Sequence, residues 1–225
     1  MEQGIILKGT GGFYEVLTRS GEKVTCRLRG RLRLEDDRVL VGDRVEITSS
    51  SGEGVVEQVL PRSNSLLRPP IANVDQVLVV VAAAKPDPVF LLLDRILVHA
   101  ELSGLNAVVV VNKSELNQAM TDEIIAVYTK AGYPTVAASA KTGQGLDELK
   151  EHLKDKVSTL AGPSGVGKSS LVNAIEPGLS LETGDVSAKL RRGRHTTRSV
   201  SLLPLSFGGI IADTPGFSRL EMVDI

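Results

Sequence analysis

Residues Gly162-Pro163-Ser164-Gly165-Val166-Gly167-Lys168-Ser169 set the architecture of this 225-residue chain. They match the phosphate-loop pattern G-x-x-x-x-G-K-[ST], in which glycines let successive main-chain N–H groups point at a phosphate. The sequence predicts a buried strand at 157–160 and a helix from Lys168, and a helix N-terminus adds positive potential. We expect Lys168 to reach the β- and γ-phosphates and the Ser169 hydroxyl to bind magnesium. Ser170, next in the helix, is assigned to the same nucleotide site.

A second phosphate-facing loop, Asp213-Thr214-Pro215-Gly216, follows a predicted strand at 209–212. An acidic residue at the carboxyl end of a buried strand beside a phosphate loop can hold magnesium through water. We therefore predict Asp213 as a water-mediated magnesium ligand and the Gly216 N–H as a contact for the γ-phosphate.

A basic segment, residues 191–198, lies between these two loops. A threonine in this interval normally supplies another magnesium ligand and senses the γ-phosphate. Thr197 is favoured because it stands almost directly before the predicted strand 199–205, and Thr196 is the alternative. The segment itself is either a solvated mobile loop or one that becomes ordered with GTP and against RNA.

Two further loops follow predicted buried strands and indicate guanine recognition. Asn112-Lys113-Ser114-Glu115, after strand 107–111, resembles N-K-x-D, whose carboxylate accepts both N–H groups of the guanine Watson–Crick edge. In that pattern Asn112 polarises the loop and the Lys113 stem covers the base, whereas Glu115 is one methylene longer than the usual aspartate. Ser139-Ala140-Lys141, after strand 135–138, is typical of the loop whose N–H meets guanine O6. Both loops stand where a parallel sheet binds ligands, at the carboxyl ends of its strands.

The order of these motifs is the informative feature. Ras-like GTPases begin with the phosphate loop, whereas this chain runs N-K-S-E, S-A-K, phosphate loop, Thr197, D-T-P-G. Apolar strands, including 77–81, alternate with predicted helices at 89–103, 121–131 and 146–152. That alternation predicts a doubly wound, mostly parallel α/β sheet, and a circular permutation leaves all the loops on one edge of it.

The N-terminal part has a different sequence pattern. Residues 4–68 contain short β-type runs separated by turn signals, which predicts a small barrel or sandwich. Arg68-Pro69-Pro70 is predicted to be a linker, so we divide the chain into domains 1–68 and 69–225. At strand periodicity the arginines of the stretch 27–34 share one face, either as a solvated surface or as a row that binds RNA phosphates. That row contains Arg27, Arg29, Arg31 and Arg33.

The overall composition restricts the compartment and the partners. The net charge of −1 means that any RNA contact must come from local patches. A single cysteine excludes an internal disulfide framework and fits a reducing cytoplasm. No signal peptide or membrane-spanning run is recognisable, so we expect a cytoplasmic protein without a membrane partner. We also expect a monomer.

Taken together, these stretches resemble the RsgA (YjeQ/YloQ) family of circularly permuted GTPases. The resemblance rests on residues 161–173, 183–187, 193–198 and 212–218, and on barrel residues 27–33 and 39–45. It implies an N-terminal OB-fold, a GTPase domain that binds GTP or GDP with Mg²⁺, and a role with rRNA in late small-subunit maturation, with hydrolysis stimulated by the subunit. It also implies a C-terminal zinc module, the only part for which Zn²⁺ is expected. Because this chain stops at Ile225, we expect a truncated form.

Phe217 stands where Ras-like enzymes carry the glutamine that orients the attacking water. Phenylalanine can neither donate nor accept a hydrogen bond there, so slow intrinsic hydrolysis is expected. His195 is the nearest candidate for positioning the water, and the resemblance also points to it; otherwise it contacts RNA or solvent. The alternative function is a GTP-dependent rRNA-binding switch with negligible turnover. A small-molecule P-loop kinase is disfavoured by the two guanine loops.

Overall fold

The computed structural model describes residues 1–33, 39–50, 53–67, 70–181 and 200–213. The chain divides into two compact units, one built mainly from residues up to Val74 and one mainly from Asp75 onward. In the described ranges, no helix is both long enough and apolar enough to cross a membrane.

The first unit contains a closed five-stranded barrel in the order β1-β2-β3-β5-β4. Its strands are β1 Glu2–Thr10, β2 Phe13–Thr18, β3 Lys23–Leu28, β4 Arg44–Ser50 and β5 Glu53–Val59. Strand alternation builds the core: Val24 and Cys26 of β3 are buried, while Thr25 and Arg27 between and after them are exposed. The parallel pairing of β3 with β5 beside antiparallel neighbours gives the OB-type barrel that the resemblance implied.

The predicted strand across residues 27–34 is wrong beyond Leu28. There the chain turns into a 3₁₀-helix, Gly30–Arg33, closed by a hydrogen bond from Leu32 N to Arg29 O at 2.9 Å. Leu28 and Leu32 both still pack on the barrel core. Leu28 ends the strand and Leu32 lies in the turn that follows, so their even spacing could not distinguish a continued strand from a turn that returns Leu32 to the same core.

This turn removes the geometric basis for one continuous arginine row. Only Arg27 lies in β3, whereas Arg29 follows the strand and pairs with Glu57. Arg31 and Arg33 lie in the 3₁₀-helix, and their side chains are outside the described part of the structure.

A two-stranded sheet follows the barrel, formed by β6 Ser65–Leu67 and β7 Pro70–Ala72. Pro70 therefore begins a strand instead of continuing the predicted linker. Arg68 and Pro69 lie outside the described residues. The side chain of Asn73 donates to Gly42 O at 2.9 Å and ties the end of β7 to the loop before β4.

The remaining strands form a six-stranded sheet in the order β10-β9-β8-β11-β13-β12. This sheet confirms the predicted α/β class. Its strands are β8 Gln76–Ala82, β9 Asn106–Asn112, β10 Thr135–Ala137, β11 Val157–Ala161, β12 Ser201–Pro204 and β13 Ile210–Asp213. Their bounds agree with the predicted ranges to within one or two residues. Every residue of β8 is buried, as expected for a central strand covered on both faces.

The helices are α1 Phe90–Leu102, α2 Gln118–Lys130, α3 Leu146–Leu153 and α4 Lys168–Ile175. Helix α2 begins three residues before its predicted start at Thr121, because the Asn117 side chain caps it by accepting from Met120 N at 3.1 Å. Strands β10, β9, β8, β11 and β13 are mutually parallel, so their carboxyl ends share one edge of the sheet. All the predicted nucleotide loops in the described residues leave from that edge.

Candidate nucleotide-binding site

The phosphate loop connects β11 to α4 in the predicted manner: β11 ends at Ala161 and α4 begins at Lys168. At two positions of this loop only glycine fits, because neighbouring atoms leave no room for a Cβ. A Cβ on Gly162 would collide with the carbonyl oxygen of Val80, and one on Gly167 would collide with Nδ2 of Asn112. Both glycines have positive φ, 138° and 94°, which side chains strongly disfavour. The loop therefore lies tightly against the neighbouring strand ends.

Lys168 is the first residue of α4, and its ammonium group reaches back to the start of the phosphate loop. Its Nζ donates to the carbonyls of Gly162 at 2.8 Å and Pro163 at 2.9 Å. Burial lowers the pKa of Lys168, because a partly dehydrated ammonium loses solvation. A cation that has lost water interacts strongly with an anionic group. The geometry therefore suits a lysine that binds phosphate.

Asn112 joins three loops at the end of β9. The side chain is buried, its Nδ2 donates to Val166 O at 2.7 Å, and its Oδ1 accepts from Ala140 N at 3.3 Å. One amide thus connects its own loop to the phosphate loop and to the Ser139–Lys141 region.

The residues after Asn112 turn sharply. Lys113 adopts the left-handed conformation, with φ 57°, and its Nζ donates to Gly165 O at 2.8 Å and to Lys85 O. Ser114 N donates to Ala138 O at 3.2 Å. Glu115 lies in the 3₁₀-helix Ser114–Leu116 and is exposed.

The loop after β10 is closed by its own hydrogen bonds. Ser139 N donates to Gln144 O at 2.9 Å, and Ser139 Oγ accepts from Thr142 N at 3.0 Å. These bonds hold the main chain of Ala140 and Lys141 in a compact turn at the same sheet edge as Asn112. The structure thus brings both predicted guanine loops together with the phosphate loop.

Asp213 ends β13, as its predicted role requires. Burial raises the pKa of its carboxyl group, because the charged form is partly desolvated. A hydroxyl such as Ser169, half-buried in the first turn of α4, and a carboxylate make an oxygen donor set that suits Mg²⁺. In chemical type, these two side chains therefore suit magnesium. Within the described ranges, no three or more His, Cys, Asp or Glu side chains lie close enough together to hold a metal ion.

Several predicted site residues lie outside the described residues, namely His195, Thr196, Thr197, Gly216 and Phe217. The motifs also missed one contact that the structure reveals, the Lys85 carbonyl on Lys113. No sequence signal marks it, because a main-chain carbonyl can accept from any residue type.

The fold and this site define a P-loop GTPase whose motifs are circularly permuted. The family model described as the RsgA GTPase matches residues 59–223, and the RsgA N-terminal domain model matches residues 3–56. The chain belongs to the RsgA GTPase family and is a GTP hydrolase.

Individual relatives agree with this assignment. Proteins named small ribosomal subunit biogenesis GTPase RsgA from Caldanaerobacter subterraneus subsp. tengcongensis and Moorella thermoacetica are 50% and 51% identical to this chain. The matches cover 98% of this chain in both cases, and 75% and 76% of those proteins. The crystal structure of YjeQ from Thermotoga maritima superposes with a TM-score of 0.84 at 44% identity, covering 100% of this chain and 78% of that one. YloQ, described as a circularly permuted GTPase, has a TM-score of 0.81 at 38% identity, covering 100% and 75%.

Proposed function

We propose that this GTPase acts in late maturation of the small ribosomal subunit and that the subunit stimulates its hydrolysis of GTP. The observation that supports GTP as the nucleotide is the Asn112 amide, which ties a guanine-type loop to the phosphate loop. Relatives that are about half identical bear the name small ribosomal subunit biogenesis GTPase, which supports the ribosomal role.

In this proposal each loop binds a different part of the nucleotide. The phosphate loop, Gly162 to Ser170, holds the phosphates, and Lys168 balances the charge that develops between the β- and γ-phosphates. Glu115 accepts from the guanine edge, Lys113 covers the base, and the Ser139–Lys141 loop donates to guanine O6. The Gly216 N–H, which lies outside the described residues, is the proposed contact for the γ-phosphate.

Magnesium, bound by Ser169, Thr197 and through water by Asp213, would neutralise phosphate charge when present. The protein itself must still position a water for attack, and Phe217 offers no polar group for that task. We assign this positioning to His195, with Lys168 and Thr197 stabilising the transition state. His195→Ala should then lower subunit-stimulated turnover far more than it weakens GTP binding; unchanged stimulated turnover would remove His195 from the mechanism.

The barrel is proposed as the rRNA-binding domain, residues 1–68, joined to a GTPase domain at 69–225. Arg27, Arg29, Arg31 and Arg33 are its proposed phosphate contacts. We further propose a cytoplasmic monomer that needs no membrane partner.

The test is phosphate release from GTP with and without purified small subunits, with Lys168→Ala as the inactive control. Stimulation by subunits that disappears in Lys168→Ala supports the proposal, because the phosphate charge loses its fixed counter-ion. GTP-dependent binding to subunits without phosphate release would instead favour an rRNA-binding switch, the alternative that Phe217 suggests. Turnover in Lys168→Ala within about threefold of wild type would contradict the phosphate-loop assignment.

A further inference from the structure

The connection between β8 and α1 contains residues 85–88, Lys85-Pro86-Asp87-Pro88. No nucleotide motif covers it. Strand β8 lies between β9, which leads into the Asn112–Glu115 loop, and β11, which leads into the phosphate loop. The 85–88 segment therefore leaves the sheet edge between the two loops that meet a guanine nucleotide.

The segment contacts the guanine loop through Lys113. The Lys113 ammonium donates to the Lys85 carbonyl and also to Gly165 O at 2.8 Å. Two carbonyls from two separate loops thus hold one ammonium group. Hydrogen bonds from a charged donor are stronger than neutral ones, so the long side chain loses much of its rotational freedom.

The segment is also packed on the phosphate loop. Pro86 and Pro88 line the same small apolar cleft as Pro163 and Val166. A Cβ added to Gly165 would meet Pro86 Cδ at 3.6 Å, so the Pro86 ring lies beside the phosphate loop. The Lys85 backbone is left-handed, with φ 52°, while its side chain is exposed.

We propose that the 85–88 segment is a positioning element of the nucleotide site. The Lys85 carbonyl holds the Lys113 ammonium, so that the aliphatic stem is already oriented to cover guanine before the nucleotide arrives. Pre-orientation lowers the entropy lost on binding and slows release of the base. The inference rests on the proposed guanine role of Lys113, and Lys85 acts through that residue without contacting the nucleotide itself.

The left-handed conformation of Lys85 provides a test, because two variants that both remove its exposed side chain differ in whether they tolerate positive φ. Glycine adopts positive φ freely, whereas β-branched valine is strongly disfavoured there. Lys85→Val should displace the carbonyl, and Lys85→Gly should retain it. We expect fluorescent GDP to leave Lys85→Val about tenfold faster than Lys85→Gly, as for loss of one charge-assisted hydrogen bond. Asp155, exposed with φ 59° before β11, offers the matched control pair, Asp155→Val and Asp155→Gly.

Coupling to Lys113 distinguishes positioning from general destabilisation. In a Lys113→Met background the Val-to-Gly ratio should fall to within about twofold, because the ammonium is gone. A ratio within about twofold in the presence of Lys113, or a tenfold ratio that persists without it, would overturn the proposal. A tenfold ratio for the Asp155 pair would overturn it as well. Equal binding of ADP and GDP by the wild type would overturn the guanine site and this inference together, whereas guanine preference with an unchanged ratio overturns the positioning role alone.

Discussion

Asn112 Nδ2 donates to the main-chain carbonyl of Val166 at 2.7 Å, and both residues are buried. The bond joins residues that are 54 positions apart and belong to different nucleotide loops. It also explains the glycine next to Val166, because a Cβ at position 167 would occupy the place of the Asn112 amide. Contacts within the protein therefore hold the guanine loop and the phosphate loop against each other.

Replacing this amide should separate the two loops. Asn112→Ala leaves the Val166 carbonyl without its donor, which costs about 1–3 kcal/mol. We expect GDP affinity to fall about tenfold or more, measured by calorimetric titration. Asn106→Ala is the matched control, since Asn106 begins the same strand, is exposed, and makes only a 3.4 Å bond to Asp75 O. Similar GDP affinities for the two variants would contradict the coupling.

Gly167→Ala should abolish tight GDP binding, because the new methyl group collides with the Asn112 amide and requires a disfavoured positive φ. Gly132→Ala separates these two causes. Gly132 has nearly the same φ, 93°, but no atom lies within 4 Å of its added Cβ. We expect Gly132→Ala to lower the free energy of unfolding by about 1 kcal/mol with GDP binding retained. Tight GDP binding by Gly167→Ala would contradict this prediction, because it would show that the loop can shift to accommodate the methyl group.

Glu115 should select guanine despite its extra methylene. In the proposed complex the base covers the Glu115 carboxylate, which is exposed in the free protein, so guanine would supply it with two N–H donors, whereas adenine would desolvate it without a donor. We expect GTP to displace bound labelled GDP at concentrations at least about a thousandfold below those of ATP. Glu115→Asp should keep or increase this preference. Displacement by ATP and GTP at equal concentrations would reject guanine recognition.

Ser114→Ala should stabilise the protein, an unusual outcome for a buried residue. Ser114 is 1% exposed, and its hydroxyl has no hydrogen-bond partner within the described structure. Removing a buried, unsatisfied hydroxyl should raise the free energy of unfolding by about 1 kcal/mol. Ser158 is the contrasting case, because its Oγ accepts from Gln76 Nε2 at 2.9 Å. Chemical denaturation should therefore show Ser158→Ala to be less stable than wild type; a destabilised Ser114→Ala would indicate a partner for that hydroxyl.

In the proposed rRNA-binding role of the barrel, its arginines should contribute unequally. Arg29 pairs with Glu57, whereas the Arg27 guanidinium lies 4.6 Å over the Phe13 ring and remains exposed. An arginine whose charge is not offset by a carboxylate releases more counterion when it meets a phosphate. Arg27→Ser should reduce the salt slope of small-subunit binding by about 0.7–0.9, and Arg29→Ser by less. Equal slopes for both variants and wild type would make this surface a solvated strand face.

Local patterns were sufficient wherever one physical signal dominated. The run at 77–81 has no polar residue, so a central strand buried on both faces was the simplest interpretation, and β8 is such a strand. The start of α4 at Lys168 followed from the glycine-rich turn before it. At residues 27–34 the even spacing of the leucines was compatible with a continued strand and equally with a strand followed by a turn that returns Leu32 to the core. Packing against the barrel decided in favour of the turn after Leu28.

By itself, the sequence determined the class of protein, because the guanine and phosphate motifs depend on residue type and spacing within short loops. It also determined their permuted order, and with it the family. Only the tertiary structure brought Asn112 to Val166, Lys113 to Lys85, and Arg29 to Glu57. Each of these contacts joins residues 28 or more positions apart, and two of them use main-chain carbonyls that every residue possesses. Such partners have no compositional signature, so they are set by how the sheet and the barrel place their loops.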